Sequence, residues 1–230
     1  MTINNFIEEL KKIGIELDDE KLNQLNIYYQ LLISWNEKMN LTGITKKEDV
    51  YLKHFYDSLT LIRAIDLTKI NTLCDIGTGA GFPGLVVKIV FPQLNVTLVD
   101  SLNKRITFLN EVIKELRLTN IETKSVRIEE YGITNREKYD VVVARAVAPL
   151  PILLEYASPL VKIGGHFIAM KGNNEEHDER YPMLGIKYIE TIDFLLPYEN
   201  SQRTLIKFNK YDKTNKKYPR RYAEIKKKPL

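Results

Sequence analysis

The sequence predicts an α/β fold: a mostly parallel seven-stranded sheet, preceded by a helical section and closed by an antiparallel hairpin. Three observations carry this. From residue 72, apolar runs of strand length alternate with helix-patterned segments, as parallel strands joined by crossover helices do. The first run ends in a glycine-dense loop, "CDIGTGAGFPG" at residues 74–84. Two late apolar runs flank a short polar loop, which reads as a closing strand pair.

The elements follow in order. Ile3, Phe6, Ile7 and Leu10 recur at the spacing of one helical face. A second helix starts after Asp18 and Asp19 and turns Leu22, Leu25, Tyr28, Leu32, Trp35 and Met39 inward. A third runs through "KKEDVYLKHFYDSLTLIRAI", and "DLTKINT" joins this section to the rest. Strands are expected at "TLCDIG", "NVTLVD", "IETKSV", "YDVVVARA" and "GGHFIAMKG", with helices between them, most clearly "SLNKRITFLNEVIKELRL". The closing pair is "IKYIETIDFLLP" and "RTLIKFNKY" around "YENSQ". This divides the chain into a helical extension (1–66), an α/β domain (67–208) and a basic tail (209–230).

With 230 residues and 44% apolar content, the chain suits one well-buried domain and a small appendage. The single cysteine, Cys74, excludes an intramolecular disulfide and fits a reducing, cytoplasmic setting. The N-terminal "MTINNFIEELKKIG" carries acids and lacks a signal core, and windows such as "GLVVKIVF" are too short and too charged to span a bilayer. Charge is uneven. Residues 207–230 hold ten Lys or Arg against Asp212 and Glu224, a surplus of eight in a chain of net +4, so the rest carries −4. Tyr211, Tyr218 and Tyr222 lie among those cations, which suits phosphates and bases of a nucleic acid.

The glycine loop fits two registers. Gly79, Gly81 and Gly84 satisfy G-x-G-x-x-G, and Asp100 ends the next strand about 20 residues on, as a dinucleotide fold requires. Asp75, Gly77, Gly79 and Gly81 equally satisfy D-x-G-x-G-x-G. Electrostatics favours the second, since Asp75 would oppose a pyrophosphate but attract the ammonium and sulfonium of S-adenosylmethionine. Asp100 serves either cofactor through its ribose diol. Ile128 can face an adenine, with Glu129 at its polar edge, and Arg145 ends the fourth strand at the edge where open α/β sheets bind ligands. A nicotinamide-dependent oxidoreductase and a non-catalytic RNA-binding module remain as alternatives.

Absences narrow the chemistry. No N/D-P-P-Y/F motif follows the fourth strand, no Pro-Cys pair offers a nucleophile, Cys74 reads as packing, and His54, His166 and His177 lack metal-ligand spacing. No metal site is expected. A methyl acceptor that needs neither a base nor a covalent intermediate fits this inventory, and guanine N7 is one.

The set "WNEKMNLTGIT", "HFYDSL", "DIGTGAGFPGL", "VDSLNKRITFL", "VVARAVAPL", "KG" and "YPRR…KKKPL" resembles the bacterial small-subunit ribosomal RNA guanine-N7 methyltransferases, the glucose-inhibited division protein B family, over nearly the whole chain. The resemblance implies a class I S-adenosylmethionine-dependent methyltransferase (Rossmann-like) fold acting on 16S ribosomal RNA of the small subunit, as a monomer. It implies cofactor contacts at Gly77, Phe82, Ile128, Glu129 and Arg145, with Asp100 on the ribose. It also points to Arg127, Arg145 and Arg203 as catalytic or substrate-positioning groups, and to His54 and Asp57 beside the cofactor mouth. Lys171, at the end of the fifth strand, joins them from its position, and Arg220 and Arg221 from the basic tail. Ala223 departs from the family pattern, which has glycine there.

Overall fold

The computed structural model describes residues 1–173, 175 and 177–230. Helix α1 (Ile3–Lys12) is capped by Thr2, whose hydroxyl accepts from Asn5 N–H, and α2 (Asp19–Met39) by Asp18, which accepts from Lys21 N–H. The expected third helix is one run with changing pitch. It starts as α3 (Lys47–Val50), widens into a π-helical turn (Tyr51–Tyr56), and ends through α4 (Asp57–Leu59) in a 3₁₀ turn (Thr60–Arg63). A further 3₁₀ turn, Leu67–Lys69, leads into the sheet.

The alternating section runs β1 (Thr72–Ile76), α5 (Gly84–Val90), β2 (Asn95–Asp100), α6 (Asn103–Glu115), β3 (Ile121–Ser125), α7 (Ile128–Thr134), β4 (Tyr139–Arg145), α8 (Leu150–Ala157) and β5 (Val161–Lys171). Then come β6 (Arg180–Tyr181), β7 (Ile186–Leu195), β8 (Gln202–Lys210) and the terminal helix α9 (Tyr222–Lys227). The strand order is β3-β2-β1-β4-β5-β8-β7-β6, parallel through β5 and antiparallel beyond it. The expected seven strands are therefore eight among the described residues. The addition is β6, which pairs with β7 through Arg180–Lys187 and Tyr181–Ile186 only and stops at Pro182, a residue without an N–H to extend the ladder.

Side-chain alternation divides the interior. Val141, Val143, Ile168 and Met170 face one core, and Val142, Ala144, Phe167 and Ala169 the other. The first core also takes Phe6, Leu10, Leu25, Tyr28, Leu32 and Phe55, so the extension shares the apolar interior of the sheet. Its inward face is narrower than expected: Leu25, Tyr28 and Leu32 are buried, while Leu22, Trp35 and Met39 are half-buried and Ile3 is exposed. The second core takes Leu150, Leu153 and Leu154 from α8 and Ile225 from α9.

The tail is fastened more firmly than its charge suggests. Arg136 donates to the carbonyls of Thr214 and Tyr218, at 2.6 and 2.7 Å. Lys210, buried, donates to the carbonyls of Ser158 and Leu184 at 2.8 and 2.9 Å, and burial lowers its pKa to about 8. Ala223 stands inside α9, where alanine favours the helix that glycine would weaken.

Candidate active site

The strand order reverses between β1 and β4, so the carboxyl ends of those strands open a crevice. Two adjoining clefts of about 460 and 490 Å³ occupy it, and Gly77, Arg105 and Ala146 line both. The glycine loop forms the floor between them. Gly77 and Gly79 have φ of +70° and +62°, which side-chain-bearing residues rarely adopt, and Gly79 N–H donates to Asp100 Oδ2 at 3.0 Å. Gly81 lines neither cleft; a Cβ there would lie 2.6 Å from the Tyr28 hydroxyl oxygen, so it serves close packing. That hydroxyl donates to Ala80 O, which fastens the loop to α2.

Asp75 also lies beneath the loop. It is fully buried and lines neither cleft, and its Oδ2 accepts from Thr78 Oγ1 at 2.6 Å and from Gly84 N–H at 2.8 Å. Its Oδ1 has no partner. Burial raises the carboxyl pKa to about 6, against the opposing pull of the Thr78 and Gly84 hydrogen bonds. The carboxylate expected to attract the donor's cation is thus held under the floor rather than in a cleft lining, with one unsatisfied oxygen.

The first cleft gathers residues from seven parts of the chain. Asp57 is 5% exposed and joins two guanidinium groups: Oδ2 accepts from Arg145 Nη1 at 2.8 Å and Oδ1 from Arg203 Nε at 3.1 Å. Arg145 also donates to Lys53 O at 3.0 Å and approaches His54 Nδ1 at 3.3 Å. The His54 ring stacks on Phe82 with centroids 4.3 Å apart, and the Arg145 guanidinium sits 5.2 Å from the Phe82 centroid. Phe82 is thus a wall of this cleft. Burial and the Arg145 charge lower the His54 pKa to about 3, so its ring is neutral.

The second cleft is built from Asp100, at the end of β2, and from Ile128 and Glu129, which open α7. Asp100 is 3% exposed and accepts from Leu102 N–H at 2.9 Å and from Arg105 Nη1 at 3.0 Å. Arg127 lies here, 3.7 Å from Glu129 and with its guanidinium 4.9 Å from the Tyr222 ring centroid. Of the three arginines expected as catalytic or substrate-positioning groups, Arg145 and Arg203 line the first cleft and Arg127 the second. Tyr222 and Lys226, from the tail, complete the wall.

Two expected RNA contacts are occupied by the protein. Lys171 lines the first cleft but donates to Ala148 O at 2.6 Å and to Glu175 at 2.7 Å; Glu175 in turn accepts from Leu150 N–H at 2.6 Å. Arg220 grips fully buried Glu155 through Nε at 2.9 Å and Nη2 at 2.5 Å. Each satisfies a carboxylate of the protein itself, buried Glu155 or half-buried Glu175, a demand no sequence pattern announces. Arg221 caps α9 and is exposed. Thr42, Arg105 and Lys226, which no sequence signal singles out, line the clefts too, and Tyr222, expected among nucleic-acid contacts, lines the second.

The arrangement suits an adenosine-bearing cation. The second cleft offers a buried carboxylate and a half-buried Ile128 beside Glu129, and the orphaned Asp75 oxygen under the adjoining floor favours positive charge. The fold agrees. A "SAM dependent methyltransferase from Aquifex aeolicus" superposes with a TM-score of 0.55 at 16% identity, covering 74% of this chain and 96% of its own. A "16S rRNA (adenine(1408)-N(1))-methyltransferase" variant from Catenulisporales acidiphilia gives a TM-score of 0.50 at 16% identity, covering 63% and 87%. The fold is therefore that of S-adenosylmethionine-dependent methyltransferases.

The family model described as "rRNA small subunit methyltransferase G" matches residues 21–186. Ribosomal RNA small subunit methyltransferase G of Lysinibacillus sphaericus (strain C3-41) is 50% identical over 237 aligned positions that cover 100% of both chains. Its namesake in Exiguobacterium sp. (strain ATCC BAA-1283 / AT1b) is 48% identical, again over 100% of both. The chain belongs to this GidB family, and the nicotinamide alternative is withdrawn.

Proposed function

We propose that the protein methylates N7 of a guanine in 16S ribosomal RNA of the small subunit, with S-adenosylmethionine as donor. The observation that carries this reading is that the first cleft holds no available proton acceptor among its described residues. Asp57 is engaged by two arginines, and neutral His54 uses Nδ1 toward Arg145 and Nε2 toward Thr42. N7 of guanine needs none, because its lone pair is already nucleophilic and no proton leaves. The donor supplies an electrophilic methyl group on a sulfonium.

In this reading Asp100 holds the ribose diol, Ile128 and Glu129 the adenine, and Gly77 and Gly79 let backbone approach the donor closely. Gly81 supports the loop from behind, and Asp75 balances the donor's positive charge from below. Phe82, stacked on His54, walls the space between donor and base and excludes water from it. Arg145 and Arg203 position the target nucleotide while Asp57 offsets their charge, which matters because the methylated base becomes cationic. Positioning of this kind can lower a barrier by roughly 7–11 kcal/mol without acid–base chemistry. Arg127 and Arg221, with the tail lysines, contact phosphates, whereas Lys171 and Arg220 hold the surfaces that carry them.

The test incubates the protein with labelled donor and unmethylated small subunits, then maps N7-methylguanine by chemical strand cleavage. Label at one guanine of 16S RNA is the expected result. Label at another position would overturn the target and keep the donor.

A further inference from the structure

The first cleft contains a polar group that the methyl transfer does not use. Thr42 follows α2 where Asn40, at a φ of 51°, turns the chain out of the helix, and Asn36 Oδ1 accepts Thr42 N–H at 2.8 Å. The Thr42 hydroxyl oxygen lies 2.8 Å from His54 Nε2 and accepts Ile44 N–H at 3.0 Å. The other ring nitrogen assigns the direction of the His54 contact. Nδ1 faces Arg145 Nη2, and a guanidinium can only donate, so Nδ1 is the acceptor. A neutral ring then carries its one proton on Nε2, which donates to Thr42. With two donors already on its oxygen, the Thr42 hydroxyl retains only its own proton, and no acceptor among the described residues takes it.

We propose that Thr42 reads the target base by donating this proton to the carbonyl oxygen at position 6 of a guanine, and so selects guanine over adenine. The inference rests on the guanine-N7 reading above. On the base edge that carries N7, guanine presents an acceptor at position 6 and adenine an amino donor. Because both lone pairs of the hydroxyl are filled from within the protein, it cannot turn to accept from that amine. Adenine meets donor against donor. A neutral hydroxyl also suits the chemistry better than a cation at this place, since a guanidinium on that oxygen would draw electron density from N7. Leu41 and Ile44, which flank Thr42 in the cleft lining, offer apolar contact to a flat ring rather than a partner for a carboxylate.

The test compares Thr42→Val, which keeps the volume and loses the hydroxyl, with Thr42→Ser, which keeps it. Methyl transfer is measured on unmethylated small subunits carrying guanine or adenine at the target position, and donor affinity by equilibrium dialysis. Thr42→Val is expected to lower kcat/KM on guanine roughly tenfold, the value of one hydrogen bond, with most of the loss in KM. It should narrow the guanine-to-adenine ratio by a similar factor and leave donor affinity within about twofold, and Thr42→Ser should restore both quantities. A guanine-to-adenine ratio unchanged in Thr42→Val overturns the proposal. So does a loss of donor affinity as large as the loss on guanine, which would move the hydroxyl to the donor. If the wild-type protein binds donor but forms no N7-methylguanine, the guanine-N7 reading fails, and the base-reading role falls with it.

Discussion

The two clefts of the groove are built on opposite plans. In the first, every charged group facing the centre is bonded to another: half-buried Arg145 and Arg203 share buried Asp57, with neutral His54 against them. In the second, the carboxylates sit at the ends of separate elements, each with its own arginine, Asp100 with Arg105 and Glu129 with Arg127, and the outer wall is borrowed from the tail through Tyr222 and Lys226. The first has the form of a fixed mould, suited to holding a reacting base in one geometry. The second has the form of a socket, suited to a ligand that must enter and leave. If that difference is real, substitutions in the two clefts should separate turnover from donor affinity.

The largest effect is expected at Asp57. Replacing it by Ala leaves two half-buried guanidinium groups facing each other without a counter-charge, a loss of at most about 3–5 kcal/mol in stability. Turnover should drop by roughly 100-fold through misplacement of Arg145 and Arg203, with donor affinity much less affected. Urea unfolding and single-turnover rates measure the two. Asp100→Ala should behave in the opposite way. Loss of a charged hydrogen bond of about 1.5–3 kcal/mol should weaken donor binding roughly 10- to 150-fold, while affinity for the small subunit stays unchanged. Equal loss of both affinities would erase the proposed division between the clefts.

The contrast also explains what was legible beforehand. Asp100, Ile128, Glu129 and Arg145 were readable because each ends a strand or follows one, and strand ends in an alternating sheet point at one crevice. The partners of Arg220 and Lys171 within the protein are not legible, because charge in a sequence says nothing of an acid the fold brings beside it, here buried Glu155 and half-buried Glu175. The placement of Arg127 in a different cleft from Arg145 and Arg203 is not legible either, since pattern gives the end of a strand but not which cleft that end borders. Thr42 lies within "WNEKMNLTGIT", yet its meaning depends on the protonation of a ring twelve residues further on. The two-residue β6 is too short to leave any periodicity.

Asp75 lies where the clefts meet and offers a pH test of their junction. Its folded pKa, about 6, is raised above the ordinary 3.8, so its contribution to stability is full below about 3.8 and is lost as pH rises through about 6. Above pH 6 the fold therefore carries a buried carboxylate at a cost of about 3 kcal/mol, and a cationic donor relieves part of it. Donor affinity should accordingly rise with pH through about 6, becoming roughly tenfold weaker at pH 5 than at pH 7.5. Asp75→Asn should flatten that profile, and an unaltered profile would detach Asp75 from the donor.

The smallest effect is expected at the tail, and it tests whether the second cleft is a socket with a movable wall. Tyr222 is 44% exposed and is held by the Arg127 guanidinium on its ring, while the chain beside it is anchored by Arg220 on Glu155 and by buried Ile225. Tyr222→Ala removes the wall and keeps the anchors, so the loss is confined to about 0.5–1.5 kcal/mol, a few-fold in donor affinity. Because Arg127 and the tail lysines sit beside that wall, RNA phosphates drawn to them would press it toward the donor. The few-fold deficit of Tyr222→Ala should therefore widen when small subunits are bound, and both binding and widening should fade as salt rises and counterions compete for the phosphates. A deficit identical with and without small subunits, at every salt concentration, would make the tail a static wall and reduce the contrast between the clefts to one of shape.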